Sequence, residues 1–329
     1  MTENNFLGSR DFTAVLSDLQ LTCLDIGARG GFVEDLLPLA PWVDAIGFEP
    51  DRMECEKLNL SIKNNFKPWR TLRYLPVALG ENHGSRTLNI YHKRGCSSLF
   101  DADLPLVKEF GRDDYFELEG TFDLSTVSLD KAAQTYNFTE AVFIKTDVQG
   151  AELEIFQSAP NLLSKNVLAI RTEIEFMSIY KGQPLFSEVE ISLRKMGFMP
   201  MGFVQLDHWR RSTRCKHPDI SNGPIPYSRG QIVHGDMLFF RNPAQMNDET
   251  PEAVNTLLKM AFLALVYEYV DHAHAILTRP AVMRYLSKYK FDIENALHEV
   301  SCYLYHKYKQ SMRHRRKTNV KNYIISKIR

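Results

Sequence analysis

Asp25, Gly27 and Gly31 lie in the stretch TCLDIGARGG, residues 22–31, where an apolar run ends in an acid and three glycines follow. Glycine weakens an ordered backbone by roughly 0.5–1 kcal/mol relative to alanine, so the cluster marks a turn or an approach that a Cβ would block. About twenty residues on comes Glu49, in AIGFEPD. At that interval an acid ending a second parallel strand can accept the hydroxyls of a ribose. A glycine turn joined to a ribose acid points to a nucleoside. An acid just ahead of the glycines would repel the pyrophosphate of a dinucleotide, and the GxGxxG spacing of such sites is absent. The same acid could pair with an amino-acid ammonium or orient a water, which favours S-adenosylmethionine over a nicotinamide cofactor.

A second set of acids suggests what happens beside that nucleoside. Asp147 stands in FIKTDVQGAE, and Glu173 and Glu175 in RTEIEF. Methyl transfer to a hydroxyl is an in-line displacement that needs aligned atoms and a nearby proton acceptor. Asp147 is the first candidate for that acceptor and the two glutamates are the next. Their spacing of two puts both on one face of a strand. Three convergent carboxylates could also hold a magnesium ion through oxygen ligands, although the reading favours chemistry without a metal. Two structural roles stay open: Asp147 could cap the helix that follows it, and Glu175 could pair with Lys145 or Lys181.

These residues need a scaffold that brings distant strand ends together. From Leu21 the chain alternates short apolar runs with longer mixed ones, the rhythm of β–α–β units. TCLDIG, VDAIGFEP and LRYLPVALG read as the first three strands, with the glycine turn leading into a helix. DRMECEKLNLSIKNN reads as the next helix, AVFIKTD and NVLAIRTEIEF as two further strands, and SEVEISLRKMGF as a helix stopped by Gly197. The interval from Glu81 to Glu140 is too long for a plain connection and predicts inserted strands or a lid. Residues 208–231 read as a polar loop over the sheet edge, and QIVHGDMLFFR as the strand that closes the domain. Past residue 243 only helical signals remain, beginning with Thr250 as N-cap and Pro251 as first helical residue. The expected organisation is an N-terminal segment 1–20, an α/β domain 21–243 and a helical extension 244–329.

The segments LDIGARGGF, AIGFEPD, PVALGENHG, GCSSL, VSLDKAA, FIKTDVQGAELEIFQSA, IEFMSIYKGQPLFSEVEISLRKMGF and GDMLFF run in the order found in one family. The chain resembles the FkbM family of S-adenosylmethionine-dependent methyltransferases over about residues 21–241. The resemblance implies a Rossmann-like, seven-stranded, mostly parallel sheet with a final antiparallel strand and helices on both faces. It also implies O-methylation of a sugar, glycan or related hydroxylated metabolite. By the same resemblance Asp25, Gly27, Ala28 and Gly31 would hold the methionine end of the cofactor, Glu49 and Pro50 its ribose, and Ala78 and Leu79 its adenine. Ser97 and Ser98 would line the acceptor side. His208, Trp209 and Arg210 would rim the pocket, where an aromatic ring and cations suit a sugar or a phosphate. Two positions depart from the family pattern: Arg29 stands where Asn is usual, and Gln149 where Glu is usual. Arg29 is expected to point away from the cofactor sulfonium. Gln149 removes a carboxylate.

The bulk properties bound the rest. The formal net charge is zero over 329 residues, which argues against nucleic acid as a general partner. Five scattered cysteines with no CxxC pair suit a reducing, cytoplasmic setting. The charge is uneven: no acid follows Glu299, while basic residues run from Lys307 to Arg329 interleaved with tyrosines. That tail is compatible with an anionic surface, and the apolar helices before it with a homodimer interface. The reading that competes with an enzyme is a non-catalytic nucleoside-binding module whose C-terminal helices recruit a partner.

Overall fold

The computed structural model describes residues 6–64, 68–81, 84–211 and 230–328, with side chains up to residue 312 apart from Asn64. Most of the expected loop after Trp209 and the side chains from residue 313 onward lie outside the described residues. The chain forms two compact units. Among the described residues one holds 19–211 and 230–246, and the other holds 6–18 and 247–328.

The first unit is built on ten strands: β1 (Leu21–Ile26), β2 (Val43–Phe48), β3 (Thr71–Leu75), β4 (Ala78–Leu79), β5 (Ser85–Tyr91), β6 (Leu118–Val127), β7 (Ala141–Thr146), β8 (Ala169–Glu175), β9 (Phe198–Trp209) and β10 (Gln231–Arg241). Seven of them form one sheet in the order β3-β2-β1-β7-β8-β10-β9. All its neighbouring pairs are parallel except those made by β10, which runs antiparallel to both β8 and β9. Every residue of β1 is buried, and β7 and β8 are nearly so. That is the signature of central parallel strands covered on both faces. The core runs through Leu24, Ile46, Phe48, Ile144, Ile170 and Phe239, with the Phe48 and Phe138 rings packed edge-on at 5.6 Å. The chain winds outward from β1 through β2 to β3 and returns on the other side of β1 as β7. Strand order therefore reverses between β1 and β7, the place where open α/β sheets bind ligands at their carboxyl edge.

Three local expectations are corrected. LRYLPVALG is two strands rather than one: Pro76 lacks an N–H to continue the ladder, so β3 ends at Leu75 and β4 pairs with β6 in a separate sheet of order β4-β6-β5. The interval after Glu81 thus supplies strands, as its length required. The glycine turn does not lead into an α-helix. Pro38 and Pro41 deny it the necessary donors, and Glu34–Trp42 forms 3-10 turns instead. His208 and Trp209 belong to no loop: β9 reaches Trp209, which pairs with Gln231 of β10. As the last strand of the sheet β9 faces water on one side, and its exposed polar positions imitate a loop in the sequence.

In the second unit Thr250 caps the helix Pro251–Val266 by accepting from Ala253 N–H at 3.2 Å. Three more helices follow, Val270–Leu277, Pro280–Leu286 and Ile293–Ile328. Phe12 of the N-terminal helix Arg10–Leu16 packs edge-on against Phe262 and Phe291. Among the described residues no helix is long and apolar enough to cross a membrane.

Candidate functional site

The turn after β1 is fixed from three sides. Gly27 and Ala28 N–H both donate to Phe48 C=O, at 3.1 and 2.9 Å, which ties the turn to the end of β2. Asp147 N–H donates to Ile26 C=O at 3.0 Å, which ties the end of β7 to it as well. Asp25 Oδ2 accepts from Val33 N–H at 2.8 Å and closes the loop from below. Gly27 has φ +85°, and a Cβ there would stand 1.9 Å from Asp147 C=O. The close approach inferred from the glycines is therefore made in part by the protein itself. Gly27 is small so that Asp147 can lie against the turn.

Three cavities meet at this point. The first, of about 210 Å³, is lined by Gly27, Glu49, Pro50, Ala78, Leu79, Ser97 and Asp147 among the expected residues. Its remaining wall was not legible in the sequence: Phe48 and Val77 come from the strand ends, and Leu88, Ile90 and Leu124 from the inserted sheet. The alternation of Leu88 and Ile90 was the available signal, since residues two apart share a strand face. Glu49 is buried, and burial lifts its carboxyl above the usual range. One of its oxygens accepts from Asp51 N–H at 2.9 Å, and the other faces Arg29 Nε at 3.5 Å. Arg29 thus does not point away from the pocket. It lines the cavity and bridges Glu49 and Asp51.

A second, polar cavity of about 410 Å³ is lined by Asp25, Gly31, Lys145, Asp147, Glu173 and His234. Asp25 and Gly31 face this space and not the first cavity, and Ala28 is buried and lines neither. Lys145 Nζ lies 3.3 Å from Asp25 and 3.5 Å from Asp147. Burial pushes the Asp25 carboxyl up to about 6 against the pull of Lys145. For Asp147 the balance falls the other way: burial raises it, but Lys145 and the Gln149 amide together hold it below the usual carboxylate range.

A third cavity, of about 370 Å³, lies on the far side of Gln149 and is lined by Glu173, Glu175, Tyr180, His234 and Trp209. Gln149 links Asp147, Glu173 and Tyr180. Its Nε2 donates to Asp147 Oδ1 at 2.9 Å and to Glu173 Oε2 at 2.6 Å, and its Oε1 accepts from Tyr180 Oη at 2.9 Å. The amide stands where a carboxylate would have faced two others. Glu173 Oε1 lies 3.4 Å from His234 Nδ1, brought across by the antiparallel register that sets Glu175 opposite His234. Burial, and then the charges of Asp147 and Glu175, push Glu173 well above the carboxylate range; burial and Glu152 do the same for Glu175. Burial holds His234 below its ordinary value. Among the described residues no three His, Cys, Asp or Glu side chains form a group disposed to hold a metal.

The expected acceptor residues divide. Ser97 lines the first cavity and Trp209 the third. Ser98 is fully buried, donates to Gln149 C=O at 2.6 Å and lines none of the three cavities. His208 and Arg210 are exposed and line none of the three cavities.

Comparison with curated proteins finds no match. Among solved structures, the magnesium protoporphyrin IX methyltransferase ChlM from Synechocystis PCC 6803 with bound SAM aligns with 70% of this chain and 76% of its own, at 12% identity and a TM-score of 0.33. Streptococcus pneumoniae Sp1610, assigned as a tRNA (m1A22) methyltransferase, aligns with 90% of this chain and 99% of its own, at 12% identity and a TM-score of 0.27. The methyltransferase FkbM domain matches residues 25–200, more than half of the chain. With the glycine turn, Glu49 and Asp147 all inside that span, the chain belongs to the FkbM methyltransferase family.

Proposed function

We propose that the protein is an S-adenosylmethionine-dependent O-methyltransferase acting on a hydroxyl of a sugar, glycan or related metabolite. The observation that carries this reading is the meeting of an apolar cavity holding Glu49 with a polar one holding Glu173 and Glu175, across the Asp147–Gln149 segment. The first cavity fits the cofactor chemically. Phe48, Val77, Ala78 and Leu79 offer apolar walls to a purine, and Glu49 offers an acceptor to ribose hydroxyls once Arg29 yields its place. S-adenosylmethionine, when bound, supplies an electrophilic methyl group.

The chain's own residues do the rest. An alcohol is a poor nucleophile until its proton has somewhere to go, and the best acceptor has a pKa near the working pH. Lys145 makes Asp147 the weaker proton acceptor, whereas Glu173 is the stronger one because burial and neighbouring charge raise it. In its ionised form Glu173, which lines both the second and the third cavity, takes the proton of the acceptor hydroxyl, with His234 Nδ1 3.4 Å from one of its oxygens and Gln149 fixing the other. Asp147 and Lys145 carry the charge balance beside the point of transfer.

Calorimetry with S-adenosylmethionine, followed by transfer of a labelled methyl group to a panel of hydroxylated acceptors, tests this. Saturable cofactor binding with labelled product supports it. Glu173→Gln should lower turnover by roughly 10²–10⁴-fold, the usual contribution of a general base, with cofactor affinity retained. Cofactor binding with no product on any acceptor would favour the non-catalytic module, and NAD binding in its place would refute the cofactor assignment.

A further inference from the structure

The third cavity has a charged end that methyl transfer to a plain hydroxyl does not call for. At its buried end stand Glu173, Glu175 and Tyr180. Glu175 Oε2 accepts no hydrogen bond of ordinary geometry among the described residues, although the residue is only 4% exposed and the Gln183 side chain favours its charged form against burial and Glu152. A buried polar atom without a partner is costly, and a ligand donor would relieve it. At the exposed end two cations gather on one ring. Lys93 Nζ lies 4.4 Å and Arg112 Cζ 5.0 Å from the centre of Tyr115, and Arg112 also lies 5.6 Å from the Trp209 ring. Arg112 donates to Tyr115 Oη at 2.8 Å.

Neither cation has a carboxylate partner among the described residues, whereas the neighbouring His92 and Arg94 both pair with Glu119. Two like charges held on one aromatic ring repel each other, and an anion in the cavity that both of them line offsets that repulsion. The acids that oppose this are Asp207, which lines the same cavity and accepts from Gln205 Nε2 at 2.7 Å, and Glu173 and Glu175 at the buried end. Between the two ends, Tyr115 and Trp209 supply aromatic surface of the kind that covers a sugar ring.

We propose that the acceptor is an anionic sugar, a hydroxylated ring bearing a phosphate or carboxylate that Lys93 and Arg112 hold while its reactive hydroxyl reaches Glu173. Methylation of that hydroxyl rests on the function proposed above; anion selectivity does not.

The test is calorimetric titration of the full chain, saturated with S-adenosylhomocysteine, with a neutral hexose, a hexuronate and a hexose 6-phosphate. At least one anionic sugar should bind about ten-fold or more tightly than the neutral one, since charge-assisted hydrogen bonds exceed neutral ones by that order. Which one does so identifies the anion. The variant Lys93→Met/Arg112→Met keeps apolar stems against Tyr115 and should lose the preference. If it does not fold, Lys93→Met alone, at an exposed residue, should still weaken anion binding several-fold. Equal binding of neutral and anionic sugars, no saturable binding of either anion at about 10 mM, or an undiminished preference in the variants overturns the proposal. S-adenosylhomocysteine binding without anion preference condemns this site alone, whereas anion preference without S-adenosylhomocysteine binding condemns the methyl-transfer reading alone.

Discussion

Replacing Gln149 by Glu restores the residue usual in the family, and in this protein it should be destabilising. The wild-type amide donates two hydrogen bonds to carboxylates, at 2.9 and 2.6 Å. A glutamate in its ionised form has no proton to give and turns both contacts into repulsions. Each lost charge-assisted bond is worth roughly 1.5–3 kcal/mol. Coulomb repulsion at about 3 Å adds up to about 5 kcal/mol at an effective dielectric constant of 20. Two facts pull the sum down: the Asp147 side chain is 39% exposed, and proton uptake by the cluster relieves the charge. About 2–4 kcal/mol of destabilisation at pH 8 is the expected remainder. At pH 5 a protonated carboxyl can again donate, so the loss should shrink to about 1 kcal/mol. Urea denaturation of wild type, Gln149→Glu and Gln149→Met at both pH values measures this. The Met variant loses the bonds without adding charge, so its deficit should change less with pH. A Glu variant as stable as wild type at pH 8, or a deficit that ignores pH, would refute the view that the amide separates two carboxylates.

Two further outcomes follow from other parts of the fold. Gly27→Ala should cost several kcal/mol or prevent folding, because its Cβ meets Asp147 C=O at 1.9 Å. Gly30→Ala, at φ +89° with open space around it, should cost only about 1–2 kcal/mol for the left-handed backbone, and equal melting temperatures for the two variants would contradict the steric account. Stability should also fall as pH rises from 5 to 7. Burial raises Asp25 to about 6 and Glu152 to about 7, so the stability they contribute is full below their unfolded values near 4 and is lost as pH passes the folded ones. At about 1.4 kcal/mol per unit, these two groups lose on the order of 3–4 kcal/mol across that window; Glu173 and Glu175, raised as well, act in the same direction, and His234, whose lowered value acts in the opposite one, offsets part of it. Glu152→Gln should flatten the slope in urea titrations, and an unchanged slope would remove Glu152 from the account.

The residues readable from the chain alone were those whose signal is local. An apolar run ending in an acid and glycines marks β1 and its turn, and a fixed interval marks Glu49, because strand, turn and crossover each span few residues. The position of Asp147 followed for the same reason, as the last polar residue of an apolar run. Side-chain partners were another matter. Nothing near Asp25 in the sequence indicates that it faces Lys145, and nothing near Ser98 indicates that it is fully buried against the Gln149 carbonyl. Glu173 meets His234 only through the register of an antiparallel pair, and Lys93 and Arg112 share a ring only through the inserted sheet and the turns between its strands β5 and β6. Local periodicity says which face of a strand a residue takes, but which strand lies opposite, and in what register, is fixed by packing between segments far apart in the chain. That packing decided which charges confront one another at this site, and with them its chemistry.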